Sequence, residues 1–147
     1  MITTTGLLPL NTVPVYSGSE IHDGLKKVLK QEEPTFRSEE QKEAVFAVLE
    51  QQTPLIVVLP TGGGKTLTFT IPAVLRDPGV SIVVTPFNVL EKDYVRRLRL
   101  ARIEHIVWHH GEVAYAPVVV VSADRAASTN FITYGSPETK ATASCCA

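Results

Sequence analysis

The stretch Leu59-Pro-Thr-Gly-Gly-Gly-Lys-Thr66 constrains this chain more than any other. It follows a continuous apolar run, Leu55–Leu59, rich in β-branched residues, and precedes a helical pattern. An apolar run of this kind reads as a strand buried on both faces, as in a parallel sheet. A glycine-rich turn between such a strand and a helix converges backbone N–H groups on one point, and the helix N-terminus adds its positive end there. Gly62, Gly63 and Gly64 let the backbone wrap an anion without Cβ clashes. Lys65 supplies a point charge for outer phosphates, and Thr66 a hydroxyl for Mg²⁺. The long form of this motif has glycine where this chain has Leu59, so the short form Thr61–Thr66 carries the reading.

The rest of the chain supports an α/β fold. Ser17 and Glu20 have capping-box spacing, and Ile21, Leu25, Val28 and Leu29 form one apolar stripe that ends before Pro34. Ser38 and Gln41 repeat the capping spacing ahead of Val45, Val48 and Leu49, which places Gln41 on the apolar face. Pro72 falls inside the helix after the glycine loop and predicts a kink. Asp77–Gly79 reads as a turn, Ser81–Thr85 as a second buried strand, and Asn88 with Glu91 as the cap of a helix carrying Leu90, Tyr94 and Leu98. A third strand centres on Ile106 and a fourth runs from Pro117 to Ser122. Strands alternating with helices at this rhythm predict right-handed βαβ units. After Arg125 the chain is mostly small and polar with no sustained period, and is expected to be a poorly ordered tail without a strong strand. The organisation expected is a lead-in and helix over 1–34, a nucleotide-binding domain over 35–128 and a tail over 129–147.

Composition excludes several classes. A formal net charge of −1 gives no global attraction to nucleic acid or anionic membrane, so any basic surface is local. No apolar run approaches the ~18 residues of a membrane span, and the N-terminus lacks the basic region of a secretory signal. The two cysteines, Cys145 and Cys146, are adjacent and offer no zinc spacing, which fits a reducing, intracellular setting. His109 and His110 are consecutive and do not share a helix face as a metal pair would. Trp108 reads as core or rim rather than as a base-stacking platform.

Four segments in order, Phe36–Gln41, Val57–Leu75, Val83–Leu90 and Val118–Arg125, resemble successive motifs of RecQ-type, superfamily-two DNA helicases, including telomere-linked helicases. The resemblance runs from Phe36 to Arg125 and implies an incomplete RecA-like lobe with a mainly parallel sheet flanked by helices. It implies that Arg37 and Gln41 frame adenine, although Phe36 and Gln41 stand one residue further apart than in the usual motif. Gln41 closing the capping box remains the alternative. The resemblance further implies that Thr61, Gly62, Gly63, Gly64, Lys65 and Thr66 hold ATP phosphates, with Thr66 on Mg²⁺. Thr85, Pro86, Phe87 and Asn88 match the motif that such helicases lay along single-stranded DNA, and Arg96 and Arg97 are candidate phosphate contacts, with Arg99 and Arg102 beside them. A solvated face complementing a helix C-terminus is the other reading of these arginines.

The acidic D-E-x-H motif of the family has no counterpart, since no Asp-Glu pair follows the glycine loop. Only Asp124 lies near the end of a strongly apolar strand, with Ser122 and Ala123 intervening. A second helicase lobe is also missing. The strands expected to complete the sheet beside the glycine-loop strand do not arrive, which predicts unpaired backbone and exposed apolar surface, and suggests a truncated, frameshifted or alternatively spliced product. The expectation is an ATP-binding, Mg²⁺-dependent portion of a 3′–5′ DNA helicase, nuclear if the resemblance holds, unable to hydrolyse ATP or unwind DNA alone. Single-stranded DNA and a protein completing the open sheet are the expected partners, with no membrane. A small P-loop kinase would need a lid arginine and an acceptor pocket after the fourth strand. A non-catalytic interaction module would stay monodisperse without binding nucleotide.

Overall fold

The computed structural model describes residues 13–52, 54–76, 78–86, 88–135 and 144–146. Six helices and four strands follow in the order α1 (Gly18–Leu29), α2 (Glu39–Leu49), α3 (Leu67–Val74), β1 (Ser81–Thr85), α4 (Asn88–Leu100), β2 (His105–Val107), β3 (Val118–Ser122), α5 (Ala123–Ala126), α6 (Thr129–Tyr134) and β4 (Ser144–Cys146). The sheet has the order β2-β3-β1-β4, and every neighbouring pair is parallel. β3 is Val-Val-Val-Val-Ser, and all five residues are buried, as a central strand covered on both faces requires.

Side-chain alternation along the strands sorts the core into two faces. Val83, Val118 and Val120 meet Phe69 of α3 and Val95 and Leu98 of α4 on one face. Ile82, Val119 and Val121 meet Trp108, Phe131 and Tyr134 on the other. A third cluster joins α1, α2 and α3 through Ile21, Leu25, Val45, Leu49, Leu67 and Ile71. The α1 cap forms as its spacing predicts: Glu20 N donates to Ser17 Oγ (3.2 Å), and Ser17 N donates to Glu20 Oε2 (2.8 Å). Pro72 lies inside α3, which ends at Val74, two residues later.

Two expectations fail. The run Leu55–Leu59 is not a strand and joins no ladder. Both edges of β1 are taken, by β3 and β4, so no place beside it is open to a further strand. Ile56 and Val58 are consequently 87% and 86% exposed, and only Leu59 tucks under the loop at 6%. The run therefore exposes the apolar surface expected of an incomplete sheet. The second failure is the tail. Residues 129–134 form α6, capped by Ser128 Oγ accepting from Phe131 N (3.3 Å), with Phe131 and Tyr134 buried, and residues 144–146 pair with β1. Two aromatic residues three apart were enough to anchor a short helix on a sheet face, though too few to show a period. Of the Asp77–Gly79 turn, Asp77 lies outside the described residues.

Candidate nucleotide site

The glycine loop sits at the surface between the exposed run and α3, with Thr61, Gly62 and Lys65 exposed and Thr66 half-buried. Gly63 N donates to Pro60 O (2.9 Å), which closes the turn, and Leu67 N donates to Gly64 O (3.0 Å), which starts α3. Between these bonds the N–H groups of Gly64, Lys65 and Thr66 take no backbone carbonyl among the described residues. Three consecutive amides left over at a helix start make an anion site, because each lacks the partner that the helix ladder would give it. Lys65 Nζ folds back to Pro60 O at 3.3 Å, which keeps its ammonium on the loop.

The glycines are needed at two positions for different reasons. Gly62 and Gly64 both lie in the left-handed region, at φ +77° and +76°. A Cβ on Gly62 would meet nothing within 4 Å, whereas one on Gly64 would stand 2.1 Å from Gln41 Nε2. The residues fit a bound triphosphate at the phosphate end: an open backbone cradle, a lysine on its rim and a hydroxyl at the helix start.

Gln41 is placed differently from the adenine-framing role. It is 1% exposed, and its amide is engaged at both ends. Oε1 accepts from Arg37 N (2.8 Å), and Nε2 donates to Gly64 O (3.1 Å). The capping box on α2 is therefore half made: Gln41 N donates to Ser38 Oγ (3.2 Å), but the side chain turns to Arg37 and the loop instead of closing on Ser38 N. Arg37 also reaches the loop, its guanidinium donating to Gly62 O. In this geometry Gln41 and Arg37 brace the cradle, and a base contact from Gln41 requires it to release Gly64. Replacing Gln41 by Ala takes the acceptor from Arg37 N and leaves Gly64 O only its bond from Leu67 N, and is expected to cost about 2 kcal/mol. Urea unfolding measures this; a loss below about 0.5 kcal/mol would mean that the brace carries no stability.

A second polar cluster lies at the carboxyl ends of β1, β2 and β3. Arg125 Nε donates to Ser122 Oγ (2.7 Å) and Nη1 to Trp108 O (2.9 Å), while Nη2 meets the carboxylate of Glu91. Nη1 is also 2.7 Å from His109 Nδ1. A guanidinium only donates, so Nδ1 accepts and the neutral imidazole carries its proton on Nε2. Glu91 thus gives Oε2 to Arg125; the Asn88 side chain of the expected α4 cap lies outside the described residues. The sequence held no signal for this pair, because 34 residues separate Glu91 from Arg125.

The other candidates disperse. Thr85 is 1% exposed, and its hydroxyl donates to Val121 O (3.4 Å), so it faces the sheet and not a ligand. Pro86 is exposed; Phe87 and the side chain of Asn88 lie outside the described residues. Arg96 and Arg97 both turn to Asp93, at 3.6 and 2.8 Å, on an exposed face of α4. Asp124 is exposed at the start of α5, and a hydrogen bond with Ser122 holds its carboxyl below the usual range. His109 and His110 take separate partners, Arg125 and Asn130. Trp108 is 2% exposed and packs edge-on against Phe131 (centroids 4.9 Å), which settles it in the core. Tyr134 stacks on Tyr115 and donates to Ala114 O (2.7 Å); burial pushes its hydroxyl up to about 12, so it stays a donor at neutral pH.

The profile of the DEAD/DEAH box helicases matches residues 38–128, more than half of the chain, and spans the loop, β1, α4 and β3. The chain belongs to the DEAD/DEAH box helicase family. Its relatives are of the RecQ type, and its fold is an incomplete RecA-like lobe. It is 34% identical to rat ATP-dependent DNA helicase Q5 over 84 residues, 57% of this chain and 8% of that protein. It is 50% identical to the ATP-dependent DNA helicase RecQ of Synechocystis over 44 residues, 30% of this chain and 9% of the relative. The RecQ of Bacillus subtilis is 41% identical over 63 residues, 43% and 10% of the two chains. The matched stretch thus spans a tenth or less of each of these three relatives. Among the described residues no helix is long and apolar enough to cross a membrane.

Proposed function

We propose that this chain is an ATP-binding portion of a RecQ-type DNA helicase that holds Mg-ATP on residues 60–66 and does not turn it over alone. The observation that carries this reading is the cradle: three consecutive amides without a backbone acceptor among the described residues, closed by Gly63 N–Pro60 O and rimmed by Lys65. The phosphates would lie on the amides of Gly64, Lys65 and Thr66, with Lys65 on the outer ones. Thr66 would supply one oxygen to Mg²⁺. Arg37 and Gln41 would keep the loop open from behind, and adenine would lie near them. Single-stranded DNA would run past Pro86–Asn88, with Arg96 and Arg97 offered to phosphates once Asp93 releases them. A nuclear role in DNA repair or recombination, and a protein that pairs with the exposed run beside the loop, belong to the same reading.

Turnover needs a held metal, a positioned water and charge stabilisation on the γ-phosphate. Thr66 would be one metal ligand, and no Asp-Glu pair follows it within these 147 residues. Asp124, the acid nearest a strand end, lies exposed two residues past the end of β3. A trans-acting arginine alone is worth roughly 10³–10⁵ in rate in related chemistry. Mg-ATP should therefore displace a fluorescent ATP analogue from the chain, while phosphate release with single-stranded DNA present stays at the level of Lys65→Ala. Lys65-dependent release would overturn the no-turnover reading; failure to displace the analogue would overturn the binding reading. A kinase reading lacks the lid arginine it needs, since Arg125 is committed to Glu91, Ser122 and Trp108.

A further inference from the structure

We infer that the outer edge of β2 and the cationic flank of α4 form a docking groove for an extended acidic peptide, which adds to the sheet as a further strand. Among the described residues β2 ends the sheet, with β3 on one side only. Trp108 N donates to Val120 O (2.8 Å), and Ile106 pairs with Val119. Parallel ladders alternate, so the backbone groups of Ile106 and Trp108 face β3 while those of His105 and Val107 face outward. An unpaired edge of this kind is a template for another strand.

The space beside that edge is a groove of about 520 Å³ between β2 and α4. Lys92, Arg96 and Arg99 stand along its helical wall, and Val95, Leu100 and Val107 supply apolar surface. Lys92 and Arg99 are exposed, and neither makes an ion pair among the described residues. Arg96 is held only at 3.6 Å by an Asp93 that Arg97 binds more closely. Glu91, the acid in the lining, is neutralised by Arg125. The groove is therefore cationic on a chain whose formal net charge is −1.

Spacing fits a strand as well as charge does. Positions 92, 96 and 99 recur at about 4.5–6 Å along the helix axis, from a rise of ~1.5 Å per residue. Alternate residues of a strand recur at about 6.6 Å. A strand paired with β2 turns every second side chain to the α4 face, so acids at alternate positions meet the cations in turn. Among the described residues the lining holds no Phe, Tyr or Trp, the platform on which unpaired bases stack.

The test uses the whole chain and a fluorescein-labelled peptide of alternating Glu and Val, followed by anisotropy. Two further peptides carry N-methyl groups on one or the other alternate set of amides. The parent peptide should bind; methylating the set that faces β2 should weaken binding at least about tenfold, and methylating the other set should not. Lys92→Glu with Arg99→Glu should weaken the parent peptide by about tenfold or more. Equal binding of the two methylated peptides, no binding of the parent, or tighter binding of an oligothymidine that the same double substitution weakens would each overturn the inference. The last outcome would make the groove a nucleic-acid surface.

Discussion

Gly64→Ala is expected to destabilise the chain by about 3 kcal/mol, while Gly62→Ala, at the same backbone angle, costs only about 1 kcal/mol. Both residues sit near φ +76°, so the intrinsic penalty for a Cβ is shared. The difference lies in what surrounds them. The new methyl on Gly62 enters open space; on Gly64 it lands 2.1 Å from Gln41 Nε2. Gln41 must then leave, and because it is 1% exposed, its own amide loses its partners in a buried setting, while Gly64 O keeps only Leu67 N. A polar group stranded in this way costs about 1–3 kcal/mol. Urea unfolding of the two variants gives the comparison, and Gly64→Ala made on Gln41→Ala should cost less than on the native chain. Equal costs at the two glycines would show that the Gln41 brace has no energetic role.

Arg125→Ala should cost about 3 kcal/mol, although Arg125 lies outside the glycine loop. Its side chain is 24% exposed and that of Glu91 13%, so removing one partner leaves a carboxylate in a partly dehydrated site. The substitution also takes donors from Ser122 Oγ and Trp108 O. Replacing both charges, as Glu91→Leu with Arg125→Met, should restore most of the loss, because an apolar pair of similar volume avoids the desolvation penalty. Thermal unfolding of the single and double variants follows the effect. A loss under about 1 kcal/mol for Arg125→Ala would class the pair with solvent-exposed ion pairs.

The elements that the sequence made legible are those whose local pattern and final burial agree. Ser81–Thr85 and Val118–Ser122 are runs of β-branched residues, and both became strands with β3 wholly buried. Ser17–Glu20 capped α1 because both halves of that bond pattern lie within one turn. Leu55–Leu59 carries the same pattern and failed, since a parallel strand depends on neighbours far away in the chain and β1 had no free side. The loop's shape was legible from Gly62–Lys65, because positive φ is a local demand that glycine answers. The brace was half legible: helical spacing put Gln41 on the inward face, but its bond to Gly64 spans 23 residues. The Arg125 cluster was not legible at all, because it joins the ends of three elements that only the fold brings together.

The measurement closest to the central claim is a calorimetric titration of Mg-ATP into the native chain and into Lys65→Ala. Charge-assisted contacts to phosphate are worth about 1.5–3 kcal/mol each, so the variant should bind on the order of tenfold to a hundredfold more weakly. The substitution removes a side chain that is exposed and, among the described residues, bonded only to Pro60 O, so the fold should survive it. Equal affinity for ATP in the two proteins would contradict a phosphate cradle at residues 60–66.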